Sequence, residues 1–103
     1  MRYLMIEVAF NNEEEVKLTK IRLLKEKLVA SLQVITSNSS WNYKGELESD
    51  NEYLVFMKTK ESLVNEVYEV IKEIHSYNVP EFAVFLLTSP SKDYLDWIDK
   101  ETK

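Results

Sequence analysis

The sequence predicts an α+β sandwich built in the order β-α-β-β-α-β and closed by a third, C-terminal helix. Three observations carry this reading. Segments rich in aromatic and β-branched residues alternate with segments whose apolar residues recur at helical spacing. Turn signals are scarce, with one glycine and two prolines in the whole chain, so the elements should be long and the loops few. A length of 103 residues fits one domain, spanning 1–103, around one core.

Tyr3 to Phe10 reads as the first strand. Asn12 offers an N-cap, with Glu15 as the other half of a capping box. In the helix that follows, Leu18, Ile21, Leu24 and Leu28 form the expected buried stripe. Glu13, Glu14 and Glu15 open this helix and Lys17, Lys20, Arg22, Lys25 and Lys27 fill its later turns, an order that complements the macrodipole and reads as a wet face. The second strand starts near Ala30 and runs to Tyr43, and Gly45 marks a hairpin turn or bulge. The return strand, Tyr53 to Lys58, is apolar on both faces and therefore central. Thr59 to Ser62 offers caps for a second helix, whose buried stripe is Leu63, Val67, Val70, Ile71 and Ile74. Pro80 ends the connection to a last strand, Phe82 to Leu87. Ser89-Pro90 opens the final helix, with Tyr94, Trp97 and Ile98 inward and Asp93, Asp96 and Asp99 outward.

That order is the double split-βαβ, ferredoxin-like plan. Right-handed crossovers place strands one and three in the middle and strands two and four at the edges. Strand two, read from Ala30 to Tyr43, would span about 45 Å at ~3.3 Å per residue, longer than a single small sheet accommodates. The hairpin must overhang its own sheet, and an exposed edge of that length predicts an oligomer.

Composition narrows the function classes. With 45% hydrophobic and 30% charged residues the chain is globular rather than disordered. Its formal charge of −5 repels a phosphate backbone, so no nucleic-acid partner is expected. The absence of cysteine removes disulfides, thiolate zinc sites and cysteine nucleophiles. Glu7 interrupts the first apolar run too early for a signal peptide, and the longest apolar run, Phe82 to Leu87, is far shorter than a membrane span. The expectation is a cytoplasmic protein without a membrane partner.

The motifs, in order and spacing, resemble those of the CutA proteins, the small divalent-cation tolerance family. Leu28-Val29-Ala30 is similar to the family's Leu-Ile-Ala entry into strand two. Trp41, Tyr43 and Gly45 stand where the family has Tyr-x-Trp-x-Gly, with the two aromatics changed. Glu52-x-Leu54, Lys58-Thr59, His75-x-Tyr77-x-x-Pro80-Glu81 and Tyr94-Leu95-x-Trp97-Ile98 complete the pattern, which runs nearly end to end. The resemblance implies a homotrimer, similar in design to the PII signalling proteins, with the long hairpins pairing between subunits. It implies a link to metal tolerance and, in some members, binding of copper or other divalent ions. An animal branch is associated with membrane anchoring of acetylcholinesterase, and the resemblance implies no enzymatic reaction. The family usually carries Ala-Cys-x-Asn where this chain has Ala30-Ser31-Leu32-Gln33, so a thiolate copper site does not transfer.

The candidate chemistry gathers at His75-Ser76-Tyr77-Asn78-Val79-Pro80-Glu81, a helix-to-strand corner holding the only histidine. His75 reads either as a ligand for weakly held Cu²⁺ or Zn²⁺, with Glu81 or a neighbouring subunit completing the site, or as a hydrogen-bonded histidine that orders the corner. Lys58, Tyr77 and Glu81 are expected to meet Trp41 of a neighbour in an inter-subunit cleft, as a small-ligand site or an interface network. Glu46, Glu48, Asp50 and Glu52 alternate around the hairpin and read as a solvated tip. Two function classes follow: a non-enzymatic trimeric metal-response protein, or a PII-like small-molecule sensor or enzyme with its site in the cleft near His75.

Overall fold

Alternation along the first strand sets the two layers. In β1 (Tyr3–Phe10) Leu4, Ile6, Val8 and Phe10 are buried, while Met5 and Glu7, pointing the other way, are only half-buried. The computed structural model describes residues Met1–Lys103. After β1 come α1 (Glu13–Lys25), β2 (Ser31–Tyr43), β3 (Glu46–Lys60), a 3-10 turn (Glu61–Leu63), α2 (Val64–Ile74), β4 (Phe82–Leu87) and α3 (Lys92–Glu101). The sheet order is β2-β3-β1-β4, all antiparallel, with β1 and β3 central as the sequence predicts. Helices α1 and α2 cover one face. Leu23 of α1 and Val67 and Ile71 of α2 join Ile6, Val8, Phe10, Val55 and Met57 in one core. The other face of the sheet is open except at its Lys60 end, where Lys60 is nearly buried and its Nζ donates to Asp99 of α3.

The first helix departs from the expected stripe. Its buried residues are Val16, Thr19 and Leu23, whereas Leu18, Ile21 and Leu24 are exposed. Leu28 is buried but no longer helical. Lys27 takes a left-handed conformation (φ 57), and the Leu28 and Lys27 N–H groups donate to the carbonyls of Leu23 and Leu24, a Schellman ending. Asn12 caps the helix as expected, its Oδ1 accepting from Glu15 N at 3.2 Å. The carboxylate of Glu15 does not close the capping box. It accepts instead from Ser76 N at 3.1 Å, tying the helix start to the 75–81 corner.

The hairpin is longer than the sequence suggested. β3 begins at Glu46, not at Tyr53, and pairs with β2 without a bulge from Tyr43↔Glu46 to Ser31↔Lys58. Lys44 (φ 50) and Gly45 (φ 80) form the two-residue turn, the left-handed pair that matches hairpin twist. Only the Tyr53–Lys60 half of β3 has β1 beside it, so Ser37–Tyr43 and the strand opposite overhang. Side-chain pairs hold this polar overhang: Asn38 Nδ2 donates to Asn51 Oδ1 at 3.1 Å, and Ser40 Oγ to Ser49 Oγ at 3.2 Å.

Three smaller expectations are also corrected. Thr59 is not a helix cap. It lies buried at the end of β3, and its hydroxyl donates to Leu28 O at 2.6 Å, joining the α1 exit to the sheet. The last helix starts at Lys92, capped by the hydroxyl of Ser91, which accepts from Tyr94 N; Pro90 precedes the cap. Of its inward residues only Ile98 is buried; Tyr94 and Trp97 stack on each other at 6.2 Å and stay partly exposed. Asp99 does not face freely outward, because it accepts from Lys60 Nζ at 2.8 Å.

Candidate functional site at the end of the open face

Three rows across the open face follow from the strand registers. One runs Ile35, Leu54, Ala9; the next Gln33, Phe56, Glu7, Ala83; the third Ser31, Lys58, Met5, Phe85. Glu81 precedes Phe82, the partner of Val8, and so sits beside Ala9 at the end of the first row. Glu52 lies on the same face, two residues along β3 from Leu54.

The 75–81 corner folds over this end of the sheet. His75 is 7% exposed. Its Nε2 donates to Ala9 O at 2.6 Å, Tyr77 N donates to its Nδ1 at 3.2 Å, and its ring stacks on Phe10 at 4.5 Å. These partners fix the neutral tautomer, with the proton on Nε2 and the Nδ1 lone pair already used. The geometry is that of the hydrogen-bonded corner histidine. It leaves no lone pair for a metal, and Glu15 Oε1, 3.9 Å from Nδ1, serves Ser76 N instead. No group of three or more His, Asp or Glu side chains is arranged to hold a metal ion within the subunit.

What the corner does present is Tyr77. Its hydroxyl donates to Glu52 Oε2 at 3.4 Å. Glu52 is a carboxylate only 8% exposed, with no basic partner in the subunit. The Tyr77 phenol is held above its usual range by burial and by the Glu52 charge beside it. The Glu81 carboxyl is likewise raised, first by partial desolvation and then by Glu7 and Glu52. Glu7, Glu52, Glu81 and Tyr77 therefore form one electrostatic unit. A polar cleft of ≈540 Å³ opens on its far side, between the Asn11 turn and the root of the overhang, lined by Asn38, Asn51 and Glu52.

Of the sequence-predicted cleft residues, the subunit brings Tyr77 and Glu81 to one end of the open face. It does not bring Lys58 or Trp41 there. Lys58 pairs with Met5, four residues down β1 from Ala9, or about 13 Å at ~3.3 Å per residue, and its Nζ donates to Gln33 Oε1 at 3.0 Å. Trp41 pairs with Glu48, as far beyond Glu52 in the opposite direction, and is half-exposed on the overhang. Glu7 and Glu52 are additions that the sequence reading did not place in this site. The available signal was a carboxylate inside an otherwise apolar strand in the case of Glu7, and the Glu52-x-Leu54 motif in the case of Glu52.

The family model of the CutA1 divalent ion tolerance protein matches residues 4–101. The Pyrococcus horikoshii protein named divalent-cation tolerance protein CutA is 37% identical over 81 residues, covering 79% of each chain. A solved structure described as the periplasmic divalent cation tolerance protein CutA from Archaeoglobus fulgidus superposes with a TM-score of 0.93 at 28% identity, covering 98% of this chain and 99% of that one. CutA1 from Oryza sativa does so with a TM-score of 0.93, also at 28% identity, over 100% and 95% of the two chains. With the fold, the registers and the end-to-end match in agreement, the chain belongs to the CutA1 divalent ion tolerance family.

Proposed function

We propose that this chain is a single CutA-like domain that works as a non-enzymatic homotrimer in the cytoplasmic response to divalent metal ions, binding such ions only weakly. The observation that carries the reading is the match of residues 4–101 to the family model of the CutA1 divalent ion tolerance protein, beside an end of the open face where Tyr77 donates to Glu52 and the subunit alone holds no ready-made metal site. The tolerance name of the Pyrococcus horikoshii relative supports the metal side of it. The apolar open face and the unpaired overhang support the assembly side, because an exposed sheet face and a long free edge are both covered in stable oligomers. In the trimer the overhang of a neighbour brings its Trp41 to Tyr77 and Glu81 and completes an inter-subunit cleft. Oxygen donors without a thiolate and without a free imidazole favour weak, unselective divalent binding over a tight Cu(I) site.

Calorimetric titration with Zn²⁺, Cu²⁺ and Mn²⁺ tests this. The expected result is weak binding, with a Kd well above about 1 μM, lost in Glu81→Gln and in Glu52→Gln but retained in His75→Phe. Submicromolar Cu(I) affinity, or binding indifferent to both carboxylate substitutions, would overturn it. Sedimentation should give three times the 12.2 kDa chain mass, and cell fractionation tests the compartment.

A further inference from the structure

We infer that the outward face of α1 seats the hairpin tip of a second copy of this chain, Leu18 and Ile21 receiving Tyr43 while Lys17 and Lys20 meet Glu46 and Glu48. The inference rests on the assembly reading above and says where the arm ends beyond Trp41. The sequence predicts a buried stripe of Leu18, Ile21 and Leu24, and the fold turns it to water instead. At about 3.6 residues per turn, Ile21 stands opposite the buried Val16, Thr19 and Leu23. Leu18 and Leu24 lie three residues either side of it, Lys17 and Lys25 four. Ile21 is 60% exposed. Scattered apolar residues are ordinary on a surface, but a contiguous apolar ridge marks a contact.

Cations that the subunit leaves unpaired rim this ridge. Lys20 and Lys25 make no ion pair, and Lys17 makes only an exposed one with Glu14 at 3.8 Å. The complementary set stands at the end of the arm. Tyr43 pairs with Glu46 and Trp41 with Glu48, so both rings and both carboxylates share one face of the hairpin. Tyr43 is exposed, and neither carboxylate has a cation of its own subunit within ion-pair distance. The tip's own cation, Lys44, lies over the Tyr43 ring, 5.3 Å from its centroid. Two patches, each apolar at the centre and of opposite charge at the rim, fit one another.

The tip cannot serve its own helix. Ser37–Tyr43 runs outward for about 20 Å at ~3.3 Å per residue. α1 instead starts beside Phe10, the partner of Tyr53, and runs back to where Leu28 O meets Thr59. The reach agrees with the cleft proposed above. Glu15 ties the start of α1 to the 75–81 corner through Ser76 N at 3.1 Å. Leu18 and Ile21 lie about 5 and 9 Å along the helix from Glu15, at ~1.5 Å per residue. Tyr43 lies about 7 Å beyond Trp41, at ~3.3 Å per residue. A Trp41 seated against a neighbour's Tyr77 thus delivers Tyr43 to the Leu18–Ile21 part of the ridge. The two patches are different surfaces, so the contact is heterologous and closes as a ring. One convex helix ridge is too small for a separate protein partner, which needs about 800 Å² a side. Glu13 and Glu14, exposed at its start, oppose an anionic lipid surface.

The chain has no cysteine, so an engineered disulfide reads the contact directly. Ile21→Cys and Tyr43→Cys chains, mixed, left to exchange subunits and mildly oxidised, should give a covalent dimer. Both positions are exposed, so neither substitution disturbs the core. Tyr43→Cys mixed with Glu69→Cys, on the exposed side of α2, should give none. The chain carrying both Ile21→Cys and Tyr43→Cys should oxidise to covalent trimers and no further. Lys17→Glu with Lys20→Glu should speed subunit exchange at least roughly tenfold, and so should Glu46→Lys with Glu48→Lys. All four together should return it to within roughly threefold of wild type. An intact trimer without the disulfide, products longer than three chains, or charge reversals whose effects merely add would overturn the inference and leave the trimer standing. A chain sedimenting as a monomer at every concentration sinks the assembly reading itself.

Discussion

Replacing His75 separates its two possible roles, as a packed hydrogen-bonding group and as a ligand. His75→Ala removes a buried ring stacked on Phe10 at 4.5 Å, the donor to Ala9 O at 2.6 Å and the acceptor for Tyr77 N at 3.2 Å. Truncating a buried aromatic ring costs about 3–5 kcal/mol when the cavity cannot collapse. A lost neutral hydrogen bond adds about 1 kcal/mol, and more where the orphaned partner stays buried. Ala9 is 2% exposed, so its carbonyl is such a partner, whereas Tyr77 is only partly buried. The contributions overlap, and about 4 kcal/mol is expected for His75→Ala. His75→Phe keeps the stack and loses only the polar contacts, so it should cost about 1–2 kcal/mol. Urea unfolding followed by tryptophan fluorescence, at one fixed protein concentration because oligomerisation shifts apparent stability, reads both. Equal losses in the two variants, or a loss below about 1 kcal/mol for alanine, would refute the structural role assigned to the ring.

Other perturbations test the remaining elements. Asn12→Ala should cost about 1 kcal/mol in the same unfolding assay, since it removes the acceptor for Glu15 N. Lys27→Gly should stabilise by about 1 kcal/mol, because the left-handed φ of 57 strains any residue with a Cβ; destabilisation would show that the lysine side chain matters there. Trp41→Ala lies on the overhang and is half-exposed in the subunit, so sedimentation should show weakened assembly while far-ultraviolet circular dichroism stays unchanged.

The strand order, the central placement of the first and third strands and the overhang were legible in the sequence, because alternation and element order constrain topology tightly. The face of α1 was not. Leu18, Ile21 and Leu24 show helical spacing, yet the helix turns Val16, Thr19 and Leu23 to the core. A threonine in the buried stripe hid that face, and the Schellman ending removed Leu28 from the helical count. The first half of β3 was also invisible, because Glu46-Leu47-Glu48-Ser49-Asp50-Asn51-Glu52 has little strand propensity of its own. Its conformation is imposed by the facing strand through polar pairs such as Asn38 with Asn51. For the site, the sequence singled out the corner with Tyr77 and Glu81, which the fold brings to one end of the open face, but one-dimensional spacing could not show that β1 carries Glu7 beside them. Nor could it show that both nitrogens of His75 are engaged locally.

The unbroken hairpin also bears on the order in which this protein comes into being. Its partners are neighbours in sequence, closing outward from the Lys44-Gly45 turn, whereas β1 must wait for β3 and then for β4, near the far end of the chain. Local pairings form fastest and long-range ones last. A newly made subunit should therefore extend its arm before its own sheet is complete, when concentration alone decides what the arm meets first. The serines, asparagines and carboxylates along Ser37–Tyr43 and Glu46–Glu52 give that waiting arm a soluble surface. For the assembly proposed above, maturation then becomes a race between bimolecular capture and off-pathway pairing, and the charges on the hairpin slow the second course.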